Sequence, residues 1–370
     1  MKYNILQFSF GDGYAGSAKM AILSSSALIK KGHDVKLFVS KDSLTRKRAI
    51  EKGIQIIELD SKRKTSSLFK DVIRSIEKEK SDFAIAYHSQ DRKVVMKLKS
   101  ALKKDIISVA YRQNISLSTP IIGSIIYNKY FDYMIGCSQG VANSLVKEGI
   151  KKNKVYVLHN TTEIPDNLLT ITGDKIKEKL GLKQKIVLGI SSWFHKERKG
   201  FDILFEAFSK LDDKFVLLII GIPERHQKEV IEYAGTFGIA SDKIIMPGFI
   251  DKVFEYYKAM DIFLLPSRSE GFSLALLEAA ASGLPIIASN IPGNDEFIKH
   301  KKNGLLFNIS KPEELKDSII GLAENILVAR EYAEMAQKTF VEEFTLERYS
   351  EKLENFFTET YAQFHSANSA

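Results

Sequence analysis

The chain has 370 residues, of which 44% are hydrophobic and 27% charged. This composition is that of a globular protein and excludes a disordered or collagen-like chain. The single cysteine, Cys137, excludes an internal disulfide and a cysteine-cluster metal site, and it suits a reducing compartment.

Charge is divided unevenly along the chain, although the formal net charge is only +8. Residues 1–160 hold 29 Lys and Arg against 14 Asp and Glu, whereas residues 161–370 hold 25 against 32. The basic half predicts an anionic partner, such as a nucleic acid, an acidic membrane surface or a phosphorylated acceptor. The first residues resemble a strand and not a signal peptide, and no apolar run is long enough to span a bilayer, so we expect a cytoplasmic protein.

Apolar, β-branched runs alternate with amphipathic segments, which is typical of strands and helices in a parallel α/β sheet. In the first half the predicted strands lie near 3–9, 34–39, 54–59, 82–87, 106–111, 131–137 and 155–158. After residues 165–173 the alternation restarts, with strands predicted near 185–190, 215–221, 243–246, 261–265, 285–289 and 304–307.

The sequence therefore predicts an α/β protein with two Rossmann-like, doubly wound parallel-sheet domains and a ligand cleft between them. We expect the N-terminal, acceptor-side domain at 1–165 and the C-terminal, donor-binding domain at 166–345. Residues 346–370 are predicted to form a C-terminal helix that returns toward the N-terminal domain, followed by a polar tail.

Two acids, Glu270 and Glu278, flank the start of a helix that follows the predicted strand at 261–265. Free amides near 271–274 and the positive end of the helix dipole would hold a phosphate there. Each carboxylate can accept hydrogen bonds from two neighbouring hydroxyls, as on a ribose or a hexose. The alternative is that a charged residue near a helix start is only a cap.

Several motifs occur together and in order, and together they resemble glycosyltransferase family 4. The strongest is Ser267–Pro285, in which Glu-x7-Glu precedes a small-residue helix. The others are Ala15-Gly16-Ser17-Ala18, Gly32-His33-Asp34-Val35, Cys137–Ala142, Val155–Asn160, Lys199-Gly200-Phe201-Asp202-Ile203-Leu204 and Asn303–Phe307. The resemblance implies the GT-B fold and transfer of a sugar from a nucleotide diphosphate with retention at the anomeric carbon.

The resemblance also implies roles for individual residues. It places Glu278 on the nucleotide ribose and Glu270, as a catalytic residue, on the hydroxyls of the donor sugar. It places the diphosphate near the amides of Phe272, Ser273 and Leu274. It also implies that the glycine loop, at Gly16 and Ser17, faces the donor. For the glycine loop, a tight turn without a ligand is the alternative.

Positive charge is needed where the leaving diphosphate forms. The chain lacks the Asp-x-Asp motif of metal-dependent transferases, so we expect no metal and no cofactor. Lys199 matches the family's phosphate-binding lysine. The usual "G-R-L" is replaced by 191–195, so we assign the role of its arginine to Arg198, with a solvated loop charge as the alternative.

Acceptor-side candidates are His88, Arg112 and Asn114. His88 follows the fourth predicted strand, and a structural histidine is the alternative. Arg112 stands where many family members have a histidine, and it could bind phosphate or form a structural salt bridge. His33 and His159 are interpreted as structural.

The N-terminal half also carries apolar stripes beside basic residues. Leu68, Phe69, Val72, Ile73 and Ile76 form one stripe, and Ile121, Ile122, Ile125 and Ile126 form another. Each is consistent with core packing or with a membrane-surface helix that meets a lipid-linked acceptor.

The resulting hypothesis is a retaining, metal-independent glycosyltransferase. It would transfer sugar to a glycan, lipid-linked or small-molecule acceptor in cell-surface polysaccharide or glycolipid synthesis, in the cytoplasm or at the inner face of the membrane. The alternatives are a nucleotide-sugar epimerase or hydrolase on the same fold, a nucleic-acid-binding protein, and a glycan-binding non-enzyme.

Overall fold

The structure is a computed structural model that describes residues 1–11, 13, 16–76, 80–102, 106–114, 120–248 and 250–369. The chain forms two compact units. Unit 1 comprises Met1–Thr161 together with Thr345–Ala370, and unit 2 comprises Thr162–Phe344.

The described residues of unit 1 form a seven-stranded, fully parallel sheet with the order β3-β2-β1-β4-β5-β6-β7. Each strand is one of the apolar runs predicted from the sequence, since strands covered by helices on both faces are apolar throughout. Their bounds are β1 Asn4–Ser9, β2 Asp34–Ser40, β3 Ile56–Leu59, β4 Phe83–Ala86, β5 Ile107–Arg112, β6 Tyr133–Gly136 and β7 Val155–Val157.

Helices connect these strands as the βα alternation requires. They are α1 Gly16–Lys30, α2 Leu44–Glu51, α3 Thr65–Ile76, α4 Ser89–Leu102, α5 Pro120–Tyr130 and α6 Gln139–Lys147. Ser43 and Ser138 cap α2 and α6, because each side chain accepts a hydrogen bond from the backbone N–H three residues on.

Unit 2 repeats the plan with a six-stranded parallel sheet in the order β10-β9-β8-β11-β12-β13. Its strands are β8 Ile186–Ser191, β9 Phe215–Ile220, β10 Ile244–Ile245, β11 Ile262–Leu265, β12 Ile286–Ser289 and β13 Leu305–Phe307. The predicted fold class, two doubly wound parallel-sheet domains, is thereby confirmed.

The helices of unit 2 pack on both faces of this sheet. They are α7 Asp174–Lys179, α8 Phe201–Phe208, α9 Glu224–Gly235, α10 Val253–Tyr257, α11 Leu274–Ala281, α12 Asn294–Phe297, α13 Pro312–Glu324 and α14 Ile326–Glu343. Short 3₁₀ turns lie at Lys152–Lys154 in unit 1 and at Leu168–Thr170 and Ser241–Lys243 in unit 2.

The last helix, α15 Leu346–Ser369, belongs to unit 1, where it packs against α1. Phe357 is fully buried, with its ring 4.5 Å from that of Phe83. His33 connects α15 to the residues before β1. Its Nε2 lies 2.6 Å from Glu354 Oε2, and its Nδ1 accepts a hydrogen bond from the Tyr3 N–H at 3.1 Å. His33 is therefore structural, as expected.

Two searches over the described ranges gave negative results. None of the helices they contain is both long and apolar enough to cross a bilayer. They also contain no group of three or more His, Cys, Asp or Glu side chains placed to hold a metal ion. Cys137 is buried.

Candidate functional site

The candidate site in unit 2 lies at the carboxyl ends of β8 and β11. These strands are neighbours in the sheet, and the strand order reverses between them, because the chain proceeds from β8 to β9 on one side and returns to β11 on the other. Ligands of doubly wound sheets bind at such a switch point. The loop after β8 carries Arg198 and Lys199, and the loop after β11 carries Glu270.

Gly200 allows these two loops to touch. Its φ is +66°, in the left-handed region, and a Cβ atom there would lie 2.0 Å from the carbonyl oxygen of Pro266 at the end of β11. Only glycine fits such a backbone-to-backbone approach. In the motif Lys199-Gly200, the glycine therefore allows the backbone next to the lysine to lie against the end of β11.

Lys199 and Glu270 form an ion pair, with Lys199 Nζ 2.7 Å from Glu270 Oε1. The two side chains are only 17% and 10% exposed, so the pair is weakly screened by solvent. An ammonium group has three N–H donors, and a carboxylate has further lone pairs, so the pair can still bind a phosphate oxygen and a sugar hydroxyl.

The start of α11 adjoins this pair. Ser273 is the N-cap, and its Oγ accepts a hydrogen bond from the Leu276 N–H at 3.4 Å. The ring of Phe272 is buried against Phe344, with 5.3 Å between ring centroids, so its side chain belongs to the core of unit 2. The first-turn amides and the helix dipole make this end favourable for an anion.

Gly293 supports the Glu270 turn from the other side. Its φ is +95°, and a Cβ atom there would lie 2.5 Å from the carbonyl oxygen of Gly271. Asn294, fully buried, donates from Nδ2 to the carbonyl and hydroxyl oxygens of Ser289, each at 3.1 Å. The loop after β12 thus packs directly against the turn that carries Glu270.

Glu278 lies one turn into α11 and is buried. Its Oε2 accepts a hydrogen bond from the Tyr257 hydroxyl at 2.8 Å, and its Oε1 lies 3.5 Å from Thr162 Oγ1. Burial raises the pKa of Tyr257 well above its usual value, and the negative charge of Glu278 adds to that rise. The carboxylate is therefore fixed in place by hydroxyl donors, and its role on a ribose stays a prediction.

Arg198 is exposed, and its neighbours in the loop have other partners. Lys196 Nζ lies 3.5 Å from Glu229 Oε1 and 4.8 Å from the ring centroid of Tyr233, both on α9. His195 Nδ1 accepts a hydrogen bond from the backbone N–H of Arg198. Of the cations predicted here, Lys199 is the one that contacts Glu270.

Arg268 and Tyr257 were not among the predicted site residues. Arg268 makes a bidentate ion pair with Asp202, at 2.6 and 2.5 Å, and donates to the carbonyl oxygen of Glu197. The two motifs contain opposite charges, at Asp202 and Arg268, which could have suggested this pair. For Tyr257, which lies in an ordinary amphipathic helix, the sequence contains no comparable signal.

The predicted residues of unit 1 lie at the carboxyl edge of its own sheet. Gly16 and Ser17 open α1. His88 follows β4, with its Nε2 3.4 Å from Ser9 Oγ, and a Cβ atom on Gly11 would lie 3.1 Å from its ring. The structure thus brings His88 to the start of the loop that leads to Gly16. Asn114 is exposed beyond β5.

Arg112 ends β5 and is buried, with its guanidinium 5.9 Å from the ring centroid of Tyr127. Its pKa is lowered to about 10, chiefly by burial and also by the nearby charge of Arg92, whereas Tyr127 and Glu148 oppose this shift. The side chain stays cationic at neutral pH. Its role in binding phosphate stays a prediction.

The two apolar stripes have different surroundings. Leu68, Val72 and Ile76 of α3 are buried, and Phe69 and Ile73 are partly buried, which supports the core-packing alternative for that stripe. On α5, by contrast, Ile122, Ile125 and Ile126 are exposed. The side chain of Ile121 lies outside the described part of the chain.

The protein has two doubly wound, parallel-sheet units, and the second has a charged site at its switch point. Two such units define the GT-B class of fold. Residues 184–325 match the family described as "Glycosyl transferases group 1". The crystal structure of Anabaena HepE in complex with UDP-glucose is similar in fold, with a TM-score of 0.85 at 17% identity over 96% of this chain and 100% of that one.

Curated relatives agree with this result. An uncharacterized glycosyltransferase of Methanocaldococcus jannaschii is 30% identical over 64% of this chain and 60% of its own length. The O-antigen biosynthesis glycosyltransferase WclY of Escherichia coli is 29% identical over 45% of each chain. The chain spans about half the length of the curated relatives it matches. The predicted resemblance to glycosyltransferases is confirmed, and family 4 itself remains a prediction.

Proposed function

We propose that the chain is a retaining, metal-independent glycosyltransferase that moves a sugar from a nucleotide-diphosphate donor to a hydroxyl of a glycan, lipid-linked or small-molecule acceptor. The observation that carries the proposal is the ion pair between Lys199 and Glu270, 2.7 Å apart at the start of α11. The names of two similar proteins support it: one acts in O-antigen biosynthesis, and the other was crystallised with UDP-glucose. Cell-surface polysaccharide or glycolipid synthesis is the proposed setting.

The chemistry follows from where charge develops. When the sugar–phosphate bond breaks, negative charge grows on the leaving diphosphate, and fixed donors stabilise it. Lys199, Arg198 and the first amides of α11 would supply these donors, while Glu270 orients the sugar hydroxyls. The leaving phosphate oxygen takes the proton of the acceptor hydroxyl, which then attacks from the same face, so no separate base is needed.

Binding of the nucleotide is the first test. Thermal unfolding would be followed with UDP, GDP, ADP and their common sugar conjugates, each with and without EDTA. A ligand at a hundred times its dissociation constant adds about 2.7 kcal/mol of stability. We expect one base to stabilise the protein, with no loss in EDTA, and failure of all three nucleotides would refute the proposal.

The product of the reaction decides among the alternatives. With an acceptor present, NMR of the new glycosidic bond should show the anomeric configuration of the donor. Donor turnover without an acceptor would instead favour an epimerase or hydrolase, and nucleotide binding without any turnover would favour a glycan-binding non-enzyme. Salt-sensitive retention of RNA or DNA without nucleotide-sugar affinity would favour the nucleic-acid-binding alternative.

A lipid-linked acceptor fits the charge of the N-terminal half. Residues 1–160 carry the excess of Lys and Arg, and the isoleucines of α5 are exposed in the same unit. Basic residues beside exposed apolar side chains favour an anionic membrane surface. The proposed location is therefore cytoplasmic and peripheral on the inner face of the membrane.

A further inference from the structure

We infer that Arg268 is a positioning residue, which holds the Lys199 loop and the Glu270 turn together for the transfer. The inference rests on the proposed function, since it gives Arg268 a part in that reaction. Arg268 lies in the segment between β11 and α11, two residues before Glu270.

The contacts of Arg268 reach both sides of Lys199. Its guanidinium donates from Nη1 and Nη2 to the two carboxylate oxygens of Asp202, at 2.6 and 2.5 Å. Nη1 also donates to the carbonyl oxygen of Glu197 at 2.9 Å. The backbone N–H of Arg268 donates to the carbonyl oxygen of Arg198 at 2.9 Å.

These hydrogen bonds connect Arg268 to a tight turn that contains Lys199. Within it, the N–H groups of Lys199, Gly200 and Phe201 donate to carbonyl oxygens three to five residues earlier. Arg268 fixes this turn at Glu197 and Arg198 before the lysine and at Asp202 after it. Because Arg268 and Glu270 are in one short segment, the same bonds fix the distance between the Lys199 backbone and the Glu270 backbone.

The positive charge of Arg268 is already paired with the carboxylate of Asp202. The hydrogen-bonded carboxylate of Asp202 raises the pKa of the guanidinium. A phosphate at this position would have to displace a planar, bidentate partner, which is the strongest common arrangement for arginine. Arg268 therefore acts through Lys199, whereas the exposed Arg198 remains the arginine assigned to the diphosphate.

The pair between Arg268 and Asp202 contributes little to global stability. The two side chains are 36% and 32% exposed, and ion pairs that exposed are screened by solvent. A small displacement of a group that positions substrate can, however, reduce the rate about a hundredfold. The inference therefore predicts a large loss of activity with a small change in melting temperature.

The test compares Arg268→Gln, Asp202→Asn, the double variant and Arg268→Lys. We expect each single variant to lower kcat/KM for the donor about ten- to a hundredfold. The double variant should have a kcat/KM no lower than that of either single variant, because both substitutions remove the same pair between Arg268 and Asp202. Arg268→Lys should fail to restore activity, since one ammonium cannot match two carboxylate oxygens and a carbonyl.

The matched control is Arg46→Gln in unit 1. Arg46 Nε lies 2.7 Å from Glu58 Oε1, and these side chains are 35% and 34% exposed, so the variant removes an ion pair of similar exposure that is remote from the Lys199 loop. Its activity should equal that of the unmodified protein. A loss of activity as large as that of Arg268→Gln would overturn the inference.

Other outcomes would also overturn it. If Arg268 touched the diphosphate, Arg268→Lys would retain most activity and Asp202→Asn would be harmless. If it were only structural, the melting temperature would fall while activity per folded molecule stayed constant.

Amide hydrogen exchange provides a readout that does not need activity. In Arg268→Gln and Asp202→Asn, the amides of Lys199, Gly200 and Phe201 should exchange at least tenfold faster, with α9 unchanged. Unchanged exchange rates in that turn would contradict the inference that Arg268 and Asp202 hold it in place. If the unmodified protein bound no nucleotide, the proposed function would fail. The exchange data would still decide whether Arg268 and Asp202 hold the turn around Lys199 in place.

Discussion

At the scale of single residues, the two acids of the Glu-x7-Glu motif have different surroundings. Glu270 faces a cation, Lys199, whereas Glu278 faces the hydroxyls of Tyr257 and Thr162. A carboxylate beside an ammonium can orient a sugar next to a phosphate. A carboxylate held by hydroxyls inside the unit is fixed in direction, as ribose recognition requires, and it also contributes to stability.

Glu278→Ala should therefore have two effects. It should weaken nucleotide binding, and it should lower the free energy of unfolding by about 1–3 kcal/mol, because the buried Tyr257 hydroxyl loses its acceptor. Adding Tyr257→Phe should restore part of the stability, since it removes the hydroxyl that has lost its acceptor, but none of the affinity. Calorimetric titration and urea unfolding measure the two effects, and full affinity in Glu278→Ala would contradict the ribose assignment.

The sequence provides candidate residues where a motif contains them, but it does not show which residue far along the chain is the partner of each. Lys199 and Glu270 were both predicted, yet their contact joins residues 71 positions apart, and no local pattern encodes it. Tyr257 is a clearer case. Its role depends on the side of α10 that faces α11, which the packing of the two helices decides.

At the scale of elements, the close approach of the loop after β8 to the end of β11 builds the site. Gly200→Ala tests it, with Gly238→Ala as the control. Both glycines have positive φ, +66° and +77°, so both substitutions add about 1–2 kcal/mol of backbone strain. A Cβ atom on Gly238 meets nothing within 4 Å, whereas one on Gly200 meets the Pro266 carbonyl oxygen.

We expect Gly200→Ala to destabilise the protein more than Gly238→Ala and to abolish most transfer, because Lys199 must move away from Glu270. Gly238→Ala should keep its activity. Urea unfolding and donor kinetics on both variants measure the difference. Equal activity in the two would show that the loop contact is unimportant.

The sequence could not distinguish the apolar stripes of α3 and α5. Both have isoleucines and other apolar residues at helical spacing beside basic residues. Three residues of the α3 stripe, Leu68, Val72 and Ile76, are buried, whereas α5 exposes three isoleucines. The difference comes from how each helix sits on the sheet, which periodicity alone does not specify.

At the scale of the whole molecule, the chain leaves unit 1, forms unit 2 and returns. The aromatic residues of the C-terminal helices are divided between the two units at Thr345. Phe344 packs with Phe272 and Phe297 in unit 2, and Phe357 packs with Phe83 in unit 1. The aromatic spacing is alike on both sides of the division, so the sequence gives the helices but not the unit to which each belongs.

The uneven charge has a consequence at the same scale. Each basic residue close to an anionic membrane surface contributes about 1 kcal/mol of attraction. Ile122 and Ile125 of α5, 64% and 65% exposed, would add apolar insertion in the same unit. We therefore expect the protein to sediment with vesicles rich in anionic lipid, to bind neutral vesicles weakly, and to dissociate as salt rises.

The double variant Ile122→Ser, Ile125→Ser should lose at least tenfold in vesicle affinity, because burying each isoleucine side chain is worth about 1.5–3 kcal/mol. The control is Ile326→Ser, Leu327→Ser on α14, which removes two side chains of similar exposure, 62% and 74%, from the less basic part of the chain. If both double variants lost affinity equally, or neither did, α5 would not be the membrane-facing element. Transfer to a water-soluble acceptor should be unchanged in both, since neither helix face contains a residue of the Lys199 and Glu270 site.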